Sequence, residues 1–365
     1  MPRLRTLTED EVRRLRTAAQ HLHRPRRRSA ADLLRHVTGV QAQVLVAAGL
    51  ALRARTEGLT ARRVDRARLR DRSIVLTWAM RGTLHLVAAE DYGWLVPLVT
   101  EPSIANAHRR LKQEGVAADH SVKAVGLIEQ MLQREGPLTR GEIAERLSRH
   151  RIRTEGQAIA HLVWLAAAQG VICLGPDRGR EQCFVLVRDW LGEPMPVDHD
   201  AALAELAVRY LSAHGPAQPV DLAFWSGVRM SDAKRAWNGI EDRLVEVRTA
   251  RGSRWMLRSQ KEKAPQGMMR LLPTFDEYLL GWKDREFAVS AQHWKKINRG
   301  GGWLHPVIVV DGRVLGTWDT EGTAKGLRLR IRAFAPLAPA SSLGIRTETE
   351  DVGRFLGSPV DTLFD

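Results

Sequence analysis

Residues 121–187 read SVKAVGLIEQMLQREGPLTRGEIAERLSRHRIRTEGQAIAHLVWLAAAQGVICLGPDRGREQCFVLV. Val122, Val125, Ile128 and Leu132 recur at helical spacing, and Gly136-Pro137 stops that helix. Thr139 stands three residues before Glu142, a capping-box arrangement that opens a second helix over Arg140 to Arg149. Thr154, with Gln157 three residues on, is expected to open a third helix through Ala168, ended by Gly170. Two short β-prone runs follow, Val171 to Leu174 and Cys183 to Val187, around a turn at Gly175-Pro176-Asp177-Arg178-Gly179. Three helices and then a two-stranded ribbon is the order of a winged helix, a variant of the helix-turn-helix.

The order recurs on either side. Downstream, helices are expected over Ala202 to Ala213, Val220 to Trp225 and Asp232 to Ile240. A ribbon follows, Leu244 to Val247 and Trp255 to Leu257, around Arg251-Gly252. A looser version lies upstream: a helix from Thr8 to Ala19, another from Ala30 to His36, and a ribbon of Ile74 to Thr77 and Leu84 to Val87 around Arg81-Gly82. From about Pro265 the composition changes. Val307 to Val310, Asp311-Gly312 and Val314 to Trp318 form the strongest hairpin signal in the chain. A Gly-rich turn stands at Gly300-Gly301-Gly302, and Leu327 to Arg332 alternates with period two, placing Arg328, Arg330 and Arg332 on one face. The expected fold class is α+β: tandem winged-helix units forming a C-shaped molecule, with a C-terminal antiparallel β barrel-like unit. The expected divisions are 1–115, 116–195, 196–262 and 263–365.

The 365 residues carry 56 Lys plus Arg against 42 Asp plus Glu, a net charge of +14. Nine of the basic residues are lysine and 47 arginine. An arginine bias can reflect codon usage, but the sign of the charge does not, and it favours a polyanionic partner. Arginine also forks bidentately onto phosphate. A hydrophobic fraction of 44% suffices for sizeable cores and excludes global disorder. No apolar run approaches the roughly 20 residues of a spanning helix. Met1-Pro2-Arg3-Leu4-Arg5 has no apolar segment behind its charges, so no secretory signal and no membrane are expected, and the protein is placed in the cytoplasm. Cys173 and Cys183 are too few for a disulfide framework and read as ordinary strand residues.

The familiar catalytic motifs are missing: there is no P-loop, dinucleotide-binding glycine motif or HExxH, and neither metal nor cofactor is expected. His21 and His23 lie among arginines and read as solvated. The unusual feature is Gly39-Val40-Gln41-Ala42-Gln43. On a regular helix residues i and i+2 point about 200° apart, so both amides reach one substrate only where the backbone is irregular. On the residues alone the pair also reads as two surface amides. In Trp78 to Leu86, Arg81 and His85 stand as polar ends near a nucleic-acid backbone, or His85 is a hydrogen-bonded structural histidine. The third helix is either a recognition helix, with Arg151, Arg153 and Gln157 near its start, or a buried one, given Ala160, Leu162, Val163 and Ala166.

Four segments in order carry a resemblance. They are Gln41-Ala42-Gln43 after Gly39-Val40; Arg81-Gly82-Thr83-Leu84-His85; Leu272-Pro273-Thr274-Phe275-Asp276-Glu277-Tyr278-Leu279-Leu280-Gly281 with Lys283-Asp284-Arg285; and Asp311-Gly312-Arg313-Val314-Leu315-Gly316-Thr317-Trp318. Together they resemble the AlkZ-type winged-helix DNA glycosylases, a family that includes self-resistance enzymes against azinomycin-like DNA alkylators. No one segment is specific; the four in order, across nearly the whole chain, are.

The resemblance implies a basic concave channel for duplex DNA, excision of N7-alkylated guanine and, in some members, unhooking of interstrand crosslinks. Its signature is Gln, an apolar residue, then Gln or Asp, which assigns catalysis to Gln41 and Gln43. The Asp311-Gly312 turn, with Arg313, resembles the family's DNA-probing hairpin. Arg328 and Arg330 become candidate channel lining. No lysine lies near Gln41 in sequence, so a monofunctional enzyme is expected, acting as a monomer on double-stranded DNA. The rival is a non-enzymatic winged-helix DNA-binding protein, either a transcription regulator or a protein that binds the lesion without excising it.

Overall fold

The computed structural model describes residues 5–24, 27–193, 195, 197–260, 263, 265–323 and 326–365. A six-stranded antiparallel sheet divides its larger part. The strand order is Val40–Gln41, Leu84–Ala88, Ile74–Trp78, Ile172–Arg178, Glu181–Leu186 and Leu138–Thr139. Leu76 opposite Leu174 makes the join, so the first two expected units share one sheet. Period-two alternation gives the sheet two buried faces. Leu76, Leu86 and Leu174 enter one core; Val75, Val87, Cys173 and Val185 enter the other. Each such side chain contributes roughly 1.5–3 kcal/mol on burial, and a one-residue slip would reverse both sets. Both cysteines are free and buried, and burial pushes the Cys173 thiol up to about 12, so it is chemically quiet at neutral pH.

The helices of the quoted stretch form as Ala118–Glu135, Arg140–Arg149 and Ala158–Ala168, and the Thr139–Glu142 capping box is present. Two details differ. Val122 is exposed while Ser121 is buried and donates its hydroxyl to the Ala118 carbonyl. The third helix starts at Ala158, not Thr154. Gly156 has φ +62°, which no helical start accommodates, and the Gln157 N–H is taken by Glu114 Oε2 at 3.2 Å. That helix is core: Leu162, Val163, Leu165 and Ala166 are fully buried, which removes it as a recognition helix.

Downstream, His199–His214, Pro219–Ser226 and Met230–Asn238 precede the ribbon Leu244–Thr249 and Gly252–Leu257. Arg5–Thr6 adds a parallel strand to that ribbon, with Arg5 opposite Val247. The C-terminal unit is no barrel. Its five strands run Met269–Leu272, Val307–Val310, Arg313–Thr323, Gly326–Ala333 and Val360–Phe364 in an open sheet. The last pair is parallel, because the chain crosses over through the helix Pro339–Leu356 before returning. Among the described residues no helix is long and apolar enough to cross a membrane.

Some of the arginine excess lies inside. Arg53 and Arg55 are fully buried. Arg53 pairs with Glu348 (3.1 Å) and Asp351 (3.0 Å), and Arg55 with Asp276 at 2.8 Å. His21 is buried rather than solvated and stacks on His36 with ring centroids 3.6 Å apart. Burial holds the pKa of His21 at about 2, His36 at about 4, and both His85 and His214 at about 3. All four are therefore neutral when folded, whereas in the unfolded chain they take a proton below about pH 6.5. Stability is full above that pH and falls as pH drops toward 4, by up to about 1.4 kcal/mol per pH unit for each histidine. Thermal melts from pH 7.5 to 4.5 should show a steep fall in Tm beginning near pH 6.5. A flat profile would contradict the buried, neutral assignment.

Candidate functional site

The helix Ala30–Val37 ends at Thr38 in the left-handed conformation (φ 62°), and Gly39 follows at φ 112°. A Cβ on Gly39 would lie 3.0 Å from Met80 Cε and 3.2 Å from the Leu86 carbonyl. Glycine is what lets the chain turn there and enter the sheet. Val40 and Gln41 then pair antiparallel with Leu86 and His85, and the Ala42 N–H donates to the Leu84 carbonyl at 2.7 Å. Gln41 therefore closes a short strand and Gln43 stands in the bend that follows it, so neither amide sits on a helix. This is the irregularity the pattern required.

Both amides are anchored on one turn. Arg81 Nη2 donates to Gln41 Oε1 at 2.9 Å, and the Leu84 N–H donates to Gln43 Oε1 at 2.8 Å. Gln41 is buried, 8% exposed, and Gln43 is exposed. Beneath them lies Glu277, fully buried. Its Oε1 accepts from the Gln41 N–H (3.2 Å) and its Oε2 from the Trp225 indole N–H (2.7 Å). Arg81 Nη1 donates to the Trp225 carbonyl, so Gln41, Arg81, Trp225 and Glu277 form a closed ring. Burial raises the Glu277 pKa and the Arg81 cation opposes that rise. Both carboxylate oxygens already accept hydrogen bonds, so Glu277 reads as scaffold rather than as a free base.

Of the expected contacts with DNA, two move inward. His85 is fully buried. Its Nδ1 lies 2.9 Å from the Thr83 carbonyl, which can only accept, so the proton is on Nδ1 and Nε2 is bare. It is a structural histidine, not a backbone contact, because its strand position faces a core. Arg81 is turned toward Gln41 and Trp225, with burial lowering its pKa. Arg151, Arg153 and Gln157 are exposed together on the turn before the helix Ala158–Ala168, far in sequence from the amides. Arg328 pairs with Glu321 (3.1 Å), and Arg330 with Glu321 (3.1 Å) and Asp365 (3.0 Å). The alternating arginine face is thus matched by acids on the neighbouring strands.

The Asp311-Gly312 turn is docked and not free to probe DNA. Gly312 is buried, the Tyr278 hydroxyl donates to its carbonyl at 2.8 Å, and a Cβ there would lie 2.9 Å from Arg13 Cβ. Only Arg313 stays exposed. The Gly-rich hairpin, Asn298–Gly300 with Trp303–Leu304, is exposed at its tip. Trp303, 44% exposed, packs on Phe275 at 4.8 Å, two residues before Glu277. The three glycines were a visible signal for that turn. Nothing in the sequence marked Trp225, and Glu277 stood in a quoted segment without a role.

The comparisons agree with the segments that carried the resemblance. A profile of the DNA glycosylase AlkZ-like family matches residues 34–355. The interstrand DNA cross-link repair glycosylase of Streptomyces sahachiroi is 31% identical over 318 residues, spanning 80% of this chain and 82% of that protein. The solved structure of the Streptomyces sahachiroi DNA glycosylase AlkZ matches with a TM-score of 0.84 at 26% identity, over 99% of this chain and 100% of that one. With a match of that extent to the family and the fold shared from end to end, the chain belongs to the DNA glycosylase AlkZ-like family.

Proposed function

We propose that this glycosylase hydrolyses the N-glycosidic bond of N7-alkylguanine in duplex DNA, crosslinked guanine included, with Gln41 and Gln43 as its catalytic residues. The observation that carries the proposal is the pair of neutral carboxamides anchored on one turn, with neither a lysine nor a free carboxylate among the groups that hold them. Such a site suits a substrate that needs little help. N7-alkylation already places positive charge on the base, so departure requires no general acid. A water lone pair forms the C1′–O bond, the C1′–N9 pair neutralises the departing base, and the water proton passes to solvent. Gln43 orients that water and Gln41 fixes it or the deoxyribose; positioning and preorganised dipoles supply the acceleration.

The helix-rich units with ribbons are read as tandem winged helices that grip the duplex through phosphate contacts, as a monomer at the nucleoid. Arg151, Arg153 and Arg313 are the exposed candidates for such contacts. The Arg299–Gly302 tip takes over the probing role from the docked Asp311-Gly312 turn, since exposed arginine and an aromatic flank suit entry into a groove.

A covalent lyase route needs a positioned amine. The expected product is therefore an abasic site in an unbroken strand. Denaturing gels of N7-alkylguanine duplex after incubation should show cleavage only after alkali or heat. Strand breaks without that treatment would overturn the hydrolytic assignment.

A further inference from the structure

We infer that Arg81 is a positioning residue for the reaction: it fixes the Gln41 carboxamide with its nitrogen directed away from the protein. The inference rests on the catalytic role proposed for Gln41. Amide oxygen and nitrogen are told apart here by chemistry and not by shape. A guanidinium has donors and no acceptor, so the atom 2.9 Å from Arg81 Nη2 is the oxygen. The Leu84 N–H imposes the same polarity on Gln43. Among the described residues neither amide nitrogen has a protein acceptor. The pair therefore offers N–H donors to whatever enters.

A donor on the deoxyribose ring oxygen would withdraw the lone pair that an oxocarbenium-like state needs. A donor on the attacking water holds one lone pair and leaves the other for C1′. Only one N–H can hold the water in this way, so with Gln43 on the water the productive acceptor for Gln41 is a sugar-phosphate oxygen outside the ring.

Arg81 is built for the task. Its backbone is left-handed (φ 56°), Nη1 is tied to the Trp225 carbonyl, and Gly227 (φ 85°) packs so close that a Cβ there would lie 3.0 Å from the Arg81 backbone nitrogen. Freed from Arg81, the Gln41 amide rotates and its polarity is lost.

The test is a double-mutant cycle on base release from N7-methylguanine duplex. Arg81→Met should lower kcat about 10²-fold with KM and affinity for undamaged duplex unchanged. Arg81→Lys, which keeps the charge and one donor nitrogen in place of the two-nitrogen fork, should recover about tenfold of that loss. In a Gln41→Ala background Arg81→Met should add less than about twofold, because Arg81 acts only through Gln41. Gly227→Ala, which displaces Arg81 without touching either glutamine, should also lower kcat. Should Arg81→Met fail to fold, the Lys and Gly227 variants carry the test. Full multiplication of the two losses would overturn the inference. So would a salt slope of duplex binding smaller by about 1 in Arg81→Met, the mark of a phosphate contact. An inactive wild type would defeat the proposed function itself, and is distinguished by appearing before any variant is compared.

Discussion

Replacing both Gln41 and Gln43 by alanine is expected to lower base release from N7-alkylguanine duplex by at least ~10³-fold. Removal of a single preorganised donor typically costs 10²–10³ in kcat. Residues that act as a unit are not additive, so each single variant should fall most of the way. Binding should survive. Neutral amides displace no counterions, so the affinity for undamaged duplex and its salt dependence should stay at wild-type values. The fold should survive as well, because Gln43 is exposed and the sheet pairing of Gln41 with His85 uses only backbone. Single-turnover rates with fluorescence anisotropy on the same preparations check both halves. Base release at the wild-type rate would remove the amides from the chemistry.

The second large effect is on stability. Asp276→Ala should cost about 3–5 kcal/mol, because it leaves the Arg55 guanidinium buried without its counter-charge. Asp276 and Arg55 are both fully buried. The two Asp276 oxygens accept from Arg55 Nη1 (2.8 Å) and Nη2 (2.9 Å), and Oδ1 also accepts from the Tyr278 N–H (2.9 Å). Gln20 Oε1 at 2.5 Å and the Ala51 carbonyl at 2.8 Å remain as neutral partners for Arg55, and these cannot balance its charge. The residue next to Asp276 is Glu277, so the same substitution should loosen the support under Gln41 and lower activity along with stability. Urea denaturation measures the loss, and a change below about 1 kcal/mol would show that the pair is not buried as described. Asp276→Asn, which keeps acceptor capacity, should fall between.

Much of this was legible in the sequence, and for identifiable reasons. Thr139 with Glu142 and the helical spacing of Val125, Ile128 and Leu132 are local signals, and the structure places a helix on each. The Gly39 irregularity before Gln41 was legible because a glycine interrupting a periodic pattern announces a special backbone. Non-local pairing was not. The strand Arg5–Thr6 completes a ribbon more than 200 residues away, and nothing in two residues announces that. The parallel return of Val360–Phe364 depends on the crossover helix Pro339–Leu356, so an antiparallel barrel was the natural and incorrect expectation. The helix Tyr92–Gln113 contains Pro97 and Pro102, residues that read as breakers, and it was not expected.

The site divides in the same way. Gln41 and Gln43 were found from spacing and resemblance, but the groups around them come from three separate parts of the chain: the Arg81–Leu84 turn, Trp225 and Glu277. Arg81 was expected at a DNA phosphate and stands behind Gln41 instead, because burial beside Glu277 and Trp225 gives its charge and donors protein partners. The net charge of +14 behaves likewise. Arg53 and Arg55 neutralise buried acids, and Arg328 and Arg330 are paired across strands, so the charge that meets DNA is a subset of the total.

The central claim is that this chain releases the base from N7-alkylguanine using two neutral amides. Its most direct test is the incubation of purified protein with duplex carrying one N7-alkylguanine, with free base measured by mass spectrometry against spontaneous depurination. The account predicts release far above the spontaneous rate, an intact strand until alkali is added, and a return to the spontaneous rate when Gln41 and Gln43 are both alanine. Release indistinguishable from spontaneous depurination in the wild-type protein would contradict it.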